Sequence, residues 1–251
     1  MAAIARISQA NVVQATRKHT ATVFFFHGSD SFAVIANFMC VYVYFTFAGG
    51  TAEDLKEWVD IVNREKLQFP HIKLIYPSAP SQPYTPINGM MQNVWFDRIA
   101  ISNQVPECLE STNSMCQNVS ELIDKEVADG IPFSRIVLGG FSMGGCLALH
   151  LAYRFRPAVA GCFAMSSFLN KGSIIYEHLK MNPENGKVPL VQYHGTVDAL
   201  APIEWGEESA KNLKDLGVNV KFIPLQNAEH ELTRAEIKSW KDWLLDILPE
   251  K

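Results

Sequence analysis

The 251-residue chain lacks the marks of several large classes of protein. Its formal net charge is −4, from 22 Lys plus Arg against 26 Asp plus Glu, and no basic run gathers the cations, so nucleic acid is not an expected partner. Cysteine is sparse: Cys40, Cys108, Cys116, Cys146 and Cys162 show no C-x-x-C spacing. Three of them sit in apolar runs, which suits free core thiols in a reducing compartment better than a disulfide frame. No His/Cys/Asp/Glu cluster has metal-ligand spacing and no G-x-G-x-x-G or Walker pattern follows a strand, so no metal or nucleotide cofactor is expected. The first 20 residues hold Arg6, Arg17 and Lys18, no acidic side chain and no continuous apolar core of a secretory leader. A cytoplasmic protein is the expectation, with a mitochondrial address as the lesser reading. Internal repeats and linkers are missing too, which leaves one α/β domain over residues 1–251.

What the chain does contain is organised around residues 135–151, RIVLGGFSMGGCLALHL. Ile136, Val137 and Leu138 read as a buried strand, and the apolar stretch from Cys146 to Tyr153 reads as a buried helix. Between them Gly140-Phe141-Ser142-Met143-Gly144 fits G-x-S-x-G, a turn so tight that its serine takes strained angles and its flanking positions have no room for side chains.

Buried strands are expected at residues 22–26, 72–76, 159–165, 189–194 and 218–224. Helices are expected at 51–67, where Thr51 and Asp54 have capping-box spacing, at 109–127, from Pro202 to Leu216, and from Thr233 with Glu236 in capping-box position. Pro77, Pro80, Pro83 and Pro86 predict a long irregular loop that walls a pocket. Such alternation implies a mostly parallel sheet covered on both faces, with functional loops at the C-terminal strand ends.

Serine is a poor nucleophile near neutral pH and needs a base oriented by a carboxylate. Elbow enzymes present these in the order Ser, acid, His. Of His178, His194 and His230, only His230 has an Asp between itself and Ser142. Asp215 lies beside Lys211 and Lys214 in the pattern of a solvated helix face, whereas Asp198 follows a strand end and a glycine; Asp198 is therefore the expected acid. The expected oxyanion donors are the backbone amides of Met143, at the start of a helix, and of the Gly28-Ser29 loop. His27 and His194 have no place in the Ser-acid-His order and read as braces of their loops.

His27-Gly28-Ser29, Tyr76-Pro77-Ser78-Ala79-Pro80, Trp95-Phe96-Asp97, residues 139–145, His194-Gly195-Thr196-Val197-Asp198 and Glu229-His230-Glu231 together resemble the acyl-protein thioesterase and lysophospholipase family of α/β-hydrolases. The similarity spans residues 20–30 and 50–248. It implies the α/β-hydrolase fold and a cytosolic carboxylic-ester or thioester hydrolase, without cofactor, whose substrates are S-acylated proteins or lysophospholipids. Its motifs put the triad at Ser142, Asp198 and His230, and membrane contact would be at most peripheral.

One stretch departs from that pattern. The family's HGxGDxG loop is interrupted at about residues 31–49, within which residues 32–48 contain no charge. At 17 residues this run is at the lower limit for crossing a bilayer, and Val41-Tyr42-Val43-Tyr44-Phe45 has the alternation of a strand. The expectation from its composition is a non-standard segment, a splice form or gene-model error, that weakens or abolishes catalysis; a genuine insertion that delivers the enzyme to a membrane is the other reading. The alternative function is accordingly a silent binding protein that keeps the fold.

Overall fold

The computed structural model of the protein describes Ile7, residues 10–29 and residues 50–251. The readings placed on residues 32–48, a membrane element or a strand, lie outside the described residues, as does Cys40. Among the described residues no helix is long and apolar enough to cross a membrane.

Among the described residues seven strands form the main sheet: β1 (Ala10–Val13), β2 (Ala21–Phe26), β3 (Ile72–Pro77), β6 (Ile136–Phe141), β7 (Gly161–Met165), β8 (Leu190–Gly195) and β9 (Val220–Leu225). Their spatial order is β1-β3-β2-β6-β7-β8-β9, with only β1 antiparallel to its neighbour. Every residue of β2, β6, β7 and β8 is buried, the signature of strands covered on both faces. Period-two alternation sorts their side chains: Phe24 and Phe26 enter one core with Leu138 and Ala164, while Val23 and Phe25 enter the other with Val137 and Phe163.

The first core is closed by α2 (Leu109–Ala128), α3 (Met143–His150), α4 (Ile174–Met181) and α5 (Ile203–Asp215), and the second by α1 (Ala52–Asn63) and α6 (Arg234–Ile247). Capping follows the sequence. Thr51 accepts the Asp54 amide at 3.2 Å, and Thr233 and Glu236 form a reciprocal box at the start of α6. Helix α1 stops at Asn63, short of Leu67, because Arg64 takes the left-handed conformation and Asp60 turns its carboxylate onto the Leu67 amide at 2.7 Å.

The proline-rich segment differs from its expected irregularity. It contains a two-stranded hairpin, β4 (Ser81–Tyr84) and β5 (Met90–Asn93), with Pro83 opposite Met91. A two-stranded ribbon consists of edges alone, so a proline without an N–H is tolerated there. Helix α4 also had no counterpart among the expected elements; Ser173 caps it, and the Glu107 carboxylate accepts the Ile174 amide at 3.0 Å.

Candidate active site

Ser142 sits between β6 and α3 with φ 52 and ψ −119, a backbone state few non-glycine residues adopt. Strain of this kind persists only where neighbours over-determine it, and here they do. The Ser142 amide donates to Met165 O on β7 at 2.8 Å, and Ser142 O accepts from Gly145 and Cys146 as the helix begins. The flanking glycines are required by contact: a Cβ on Gly140 would lie 2.4 Å from the Gly144 carbonyl carbon, and one on Gly144 would lie 2.2 Å from Phe26 O. The turn thus packs against β2 backbone to backbone, which pushes the serine side chain outward from the strand end.

Asp198 lies three residues beyond β8 with its carboxylate fully enclosed. Its Oδ1 accepts the amides of Leu200 at 3.0 Å and Ala201 at 2.8 Å, and its Oδ2 accepts from His230 Nδ1 at 2.7 Å. An ionised carboxylate only accepts, so the His230 proton is on Nδ1 and Nε2 is left as an acceptor. The His230 ring packs on Phe141, the residue before Ser142, with centroids 4.8 Å apart. The structure therefore brings the three sequence-selected residues to one edge of the sheet and joins the second and third directly. Asp215, the rejected candidate, is an exposed partner of Lys211 at 2.8 Å on α5.

The loop after β2 lies against the elbow. A Cβ on Gly28 would come within 3.2 Å of Ser142 Cβ, so this backbone reaches the serine closely because residue 28 has no side chain. His27 holds that loop from a fully buried position. Its Nε2 accepts the Ala79 amide at 2.9 Å, which puts the ring proton on Nδ1, and Nδ1 donates to the Gly28 carbonyl at 2.6 Å. Burial lowers the His27 titration point to about 4, against smaller opposing effects from Gly28 O and Asp54, so the ring is neutral at physiological pH. Trp95, wholly buried, braces the same segment by donating Nε1–H to His27 O at 2.8 Å. Ser29 faces the phenol of Tyr84 on β4, whose own ionisation burial makes harder. Met143, as the first residue of α3, has an amide the helix itself cannot pair.

Two features were not anticipated from the sequence. Ser166, on the strand end beside the elbow, has φ 46 and a buried hydroxyl with no partner among the described residues. Glu236 does more than cap α6: it is fully enclosed, and burial raises its carboxyl to about 8. Only its capping spacing was visible.

A parallel sheet with a strained serine at a strand-helix turn, and a bonded Asp-His pair on later loops at the same edge, defines the α/β-hydrolase class. The family model described as "Phospholipase/Carboxylesterase" matches residues 47–247, and the chain belongs to this family of serine hydrolases acting on esters or thioesters. Lysophospholipase-like protein 1 of Mus musculus is 47% identical over 242 residues, covering 95% of this chain and 91% of the mouse protein. Acyl-protein thioesterase 1 homolog 2 of Dictyostelium discoideum is 33% identical over 181 residues, covering 72% of this chain and 80% of its own. Among solved structures, Zea mays acyl-protein thioesterase 2 superposes with a TM-score of 0.77 at 25% identity, covering 96% of this chain and 99% of that one.

Proposed function

We propose that the protein cleaves acyl esters or thioesters, with Ser142 as nucleophile, His230 as general base and acid, and Asp198 as the group that orients His230 and offsets its charge. The single observation that carries this reading is the 2.7 Å His230 Nδ1 to Asp198 Oδ2 bond, which leaves Nε2 free on a ring packed beside the elbow. As Ser142 Oγ attacks the acyl carbon, its proton passes to His230 Nε2, and the carbonyl electrons move onto oxygen. The amides of Met143 and Ser29 receive that oxyanion. Collapse expels the alcohol or thiol, protonated by His230, and leaves an acyl-serine. Water, deprotonated by the same imidazole, then releases the carboxylic acid and restores Ser142.

The relatives named as acyl-protein thioesterases support S-acylated proteins as the substrate class, and the name of lysophospholipase-like protein 1 supports lysophospholipids as a second. We place the reaction in the cytoplasm, in one hydrolase domain that meets membranes peripherally. The test is fluorophosphonate labelling of the full chain beside Ser142→Ala, with turnover of a chromogenic ester and an acyl thioester. Labelling and turnover that vanish in Ser142→Ala are expected. A folded chain that takes no label overturns the reading in favour of the silent binding protein.

A further inference from the structure

His194, the last side chain of β8, is wholly buried and has no place in the proton transfers. Its Nε2 lies 2.7 Å from the Ala201 carbonyl and 3.6 Å from Asp198 Oδ2. A carbonyl only accepts, so the proton is on Nε2 and the bond runs from the ring to Ala201 O. Ala201 is also the residue whose amide donates to Asp198 Oδ1 at 2.8 Å. The peptide chain at residue 201 is thus held on one side by His194 and holds Asp198 on the other. Asp198 Oδ2 is left for His230 at 2.7 Å.

We propose that His194 is a positioning residue for the reaction: by anchoring Ala201 it fixes the rotamer of Asp198 and hence the orientation of His230. The inference rests on the hydrolase reading above. Two further observations support it. The other ring nitrogen, Nδ1, is buried without a partner among the described residues, a loss the fold tolerates for the sake of the Nε2 contact. Helix α5 also approaches that bare edge so closely that a Cβ on Gly206 would lie 2.4 Å from Nδ1. Glycine at 206 is the condition for the ring to occupy its place.

The charged and titratable groups facing His194 are Asp198, His230 and, from α5, Glu207; the remaining neighbour from β9 is the Phe222 ring, 6.5 Å away. Burial outweighs the two carboxylates and lowers the basicity of His194. The ring therefore stays neutral, and the Asp198 charge is reserved for the imidazolium that forms on His230.

The experiment compares full-length wild type with His194→Gln, whose amide nitrogen falls where Nε2 was, and His194→Leu, which has no donor. Each is read by kcat, KM, the kcat/KM pH profile, and the downfield proton resonance of the His230–Asp198 bond. Wild type and His194→Gln should share the resonance and a similar kcat. His194→Leu should lose the resonance and about 10- to 100-fold in kcat with KM unchanged, as expected for a misplaced catalytic group, and its acidic limb should move to lower pH. If His194→Leu does not fold, Gly206→Ala displaces the ring without touching it chemically and should give the same losses. A folded His194→Leu or Gly206→Ala with the wild-type resonance overturns the proposal, as does His194→Gln failing as badly as His194→Leu. A wild type that shows the resonance but neither turns over nor labels overturns the hydrolase reading, while the resonance alone still decides the role of His194.

Discussion

The two bonds of His27 separate the stability of the loop after β2 from its chemistry, because two substitutions each keep one of them. Gly28 O and Ser29 N–H belong to one trans peptide and point opposite ways, so the bond from His27 Nδ1 to Gly28 O sets the direction of the proposed oxyanion donor. His27→Asn puts an amide N–H near the Nδ1 position and leaves the buried Ala79 N–H without its acceptor. His27→Gln puts a carbonyl oxygen near the Nε2 position, retains the Ala79 bond, and frees the Gly28 carbonyl. Loss of one oxyanion donor costs about 3 kcal/mol in the transition state, or about 100-fold in kcat. An orphaned buried amide costs about 1–3 kcal/mol of stability with no effect on the barrier. His27→Gln should therefore be stable and slow, and His27→Asn less stable and near wild type in kcat, measured by ester turnover and urea unfolding.

The pH dependence provides an internal control. The folded-state titration point of His27 is lowered from 6.5 to about 4 by burial. Between those values the unfolded chain carries a proton that the folded chain refuses, so the stabilisation is whole above pH 6.5 and is lost as pH falls toward 4. The full change is about 3 kcal/mol for this buried ring, and both variants should lack it. Wild-type kcat in His27→Gln, or equal losses of kcat in the two variants, refutes the assignment of the Gly28-Ser29 peptide.

Gly144→Ala would set a Cβ 2.2 Å from Phe26 O at the end of β2 and 2.5 Å from His27 O in the loop after it, both backbone atoms, so the expected outcome is loss of the folded protein or of all fluorophosphonate labelling; a folded variant that labels normally refutes the close-contact account. Glu236 gives the opposite pH trend from His27. With its carboxyl raised from 4.5 to about 8, the folded chain keeps a proton the unfolded chain releases, so stability present below pH 4.5 is lost as pH rises through 8. That loss is about 5 kcal/mol in order of magnitude. Glu236→Gln should flatten the decline in urea midpoint between pH 5 and 8, and an unchanged slope would refute burial of the neutral acid.

Much of this architecture was legible because its signals are local. The fully buried strands read as apolar runs, and the expected span of 189–194 became Leu190–Gly195 with a shift of one residue. The turn motif, chain order and the contrast with Asp215 singled out Ser142, Asp198 and His230, and the three lie at one edge of the sheet because parallel crossovers deliver every strand end there. The hairpin at Ser81–Tyr84 and Met90–Asn93 was not legible: with few buried positions it presents no apolar alternation, and Pro83 argued against a strand. The enclosure of Glu236 was likewise hidden, because capping spacing fixes where a carboxylate binds the backbone and says nothing about which helices and strands pack over it.

Three histidines meet this site, and what separates them is access. His27 and His194 are wholly buried, and each spends its one proton on a carbonyl of its own loop, so neither can exchange a proton with a substrate. His230 keeps 15% of its side chain exposed, binds a carboxylate instead of a carbonyl, and retains a free nitrogen on the side of Phe141. A carbonyl partner fixes a neutral tautomer, whereas a carboxylate partner also stabilises the charged ring, and only the second arrangement allows a proton to be taken and returned. Chain order singled out His230 as the expected base, and its loop follows the last strand, whereas the His27 segment is braced by Trp95 and the His194 ring is closed over by α5. Division of labour among identical side chains thus follows from burial and partner type, with the fold deciding both.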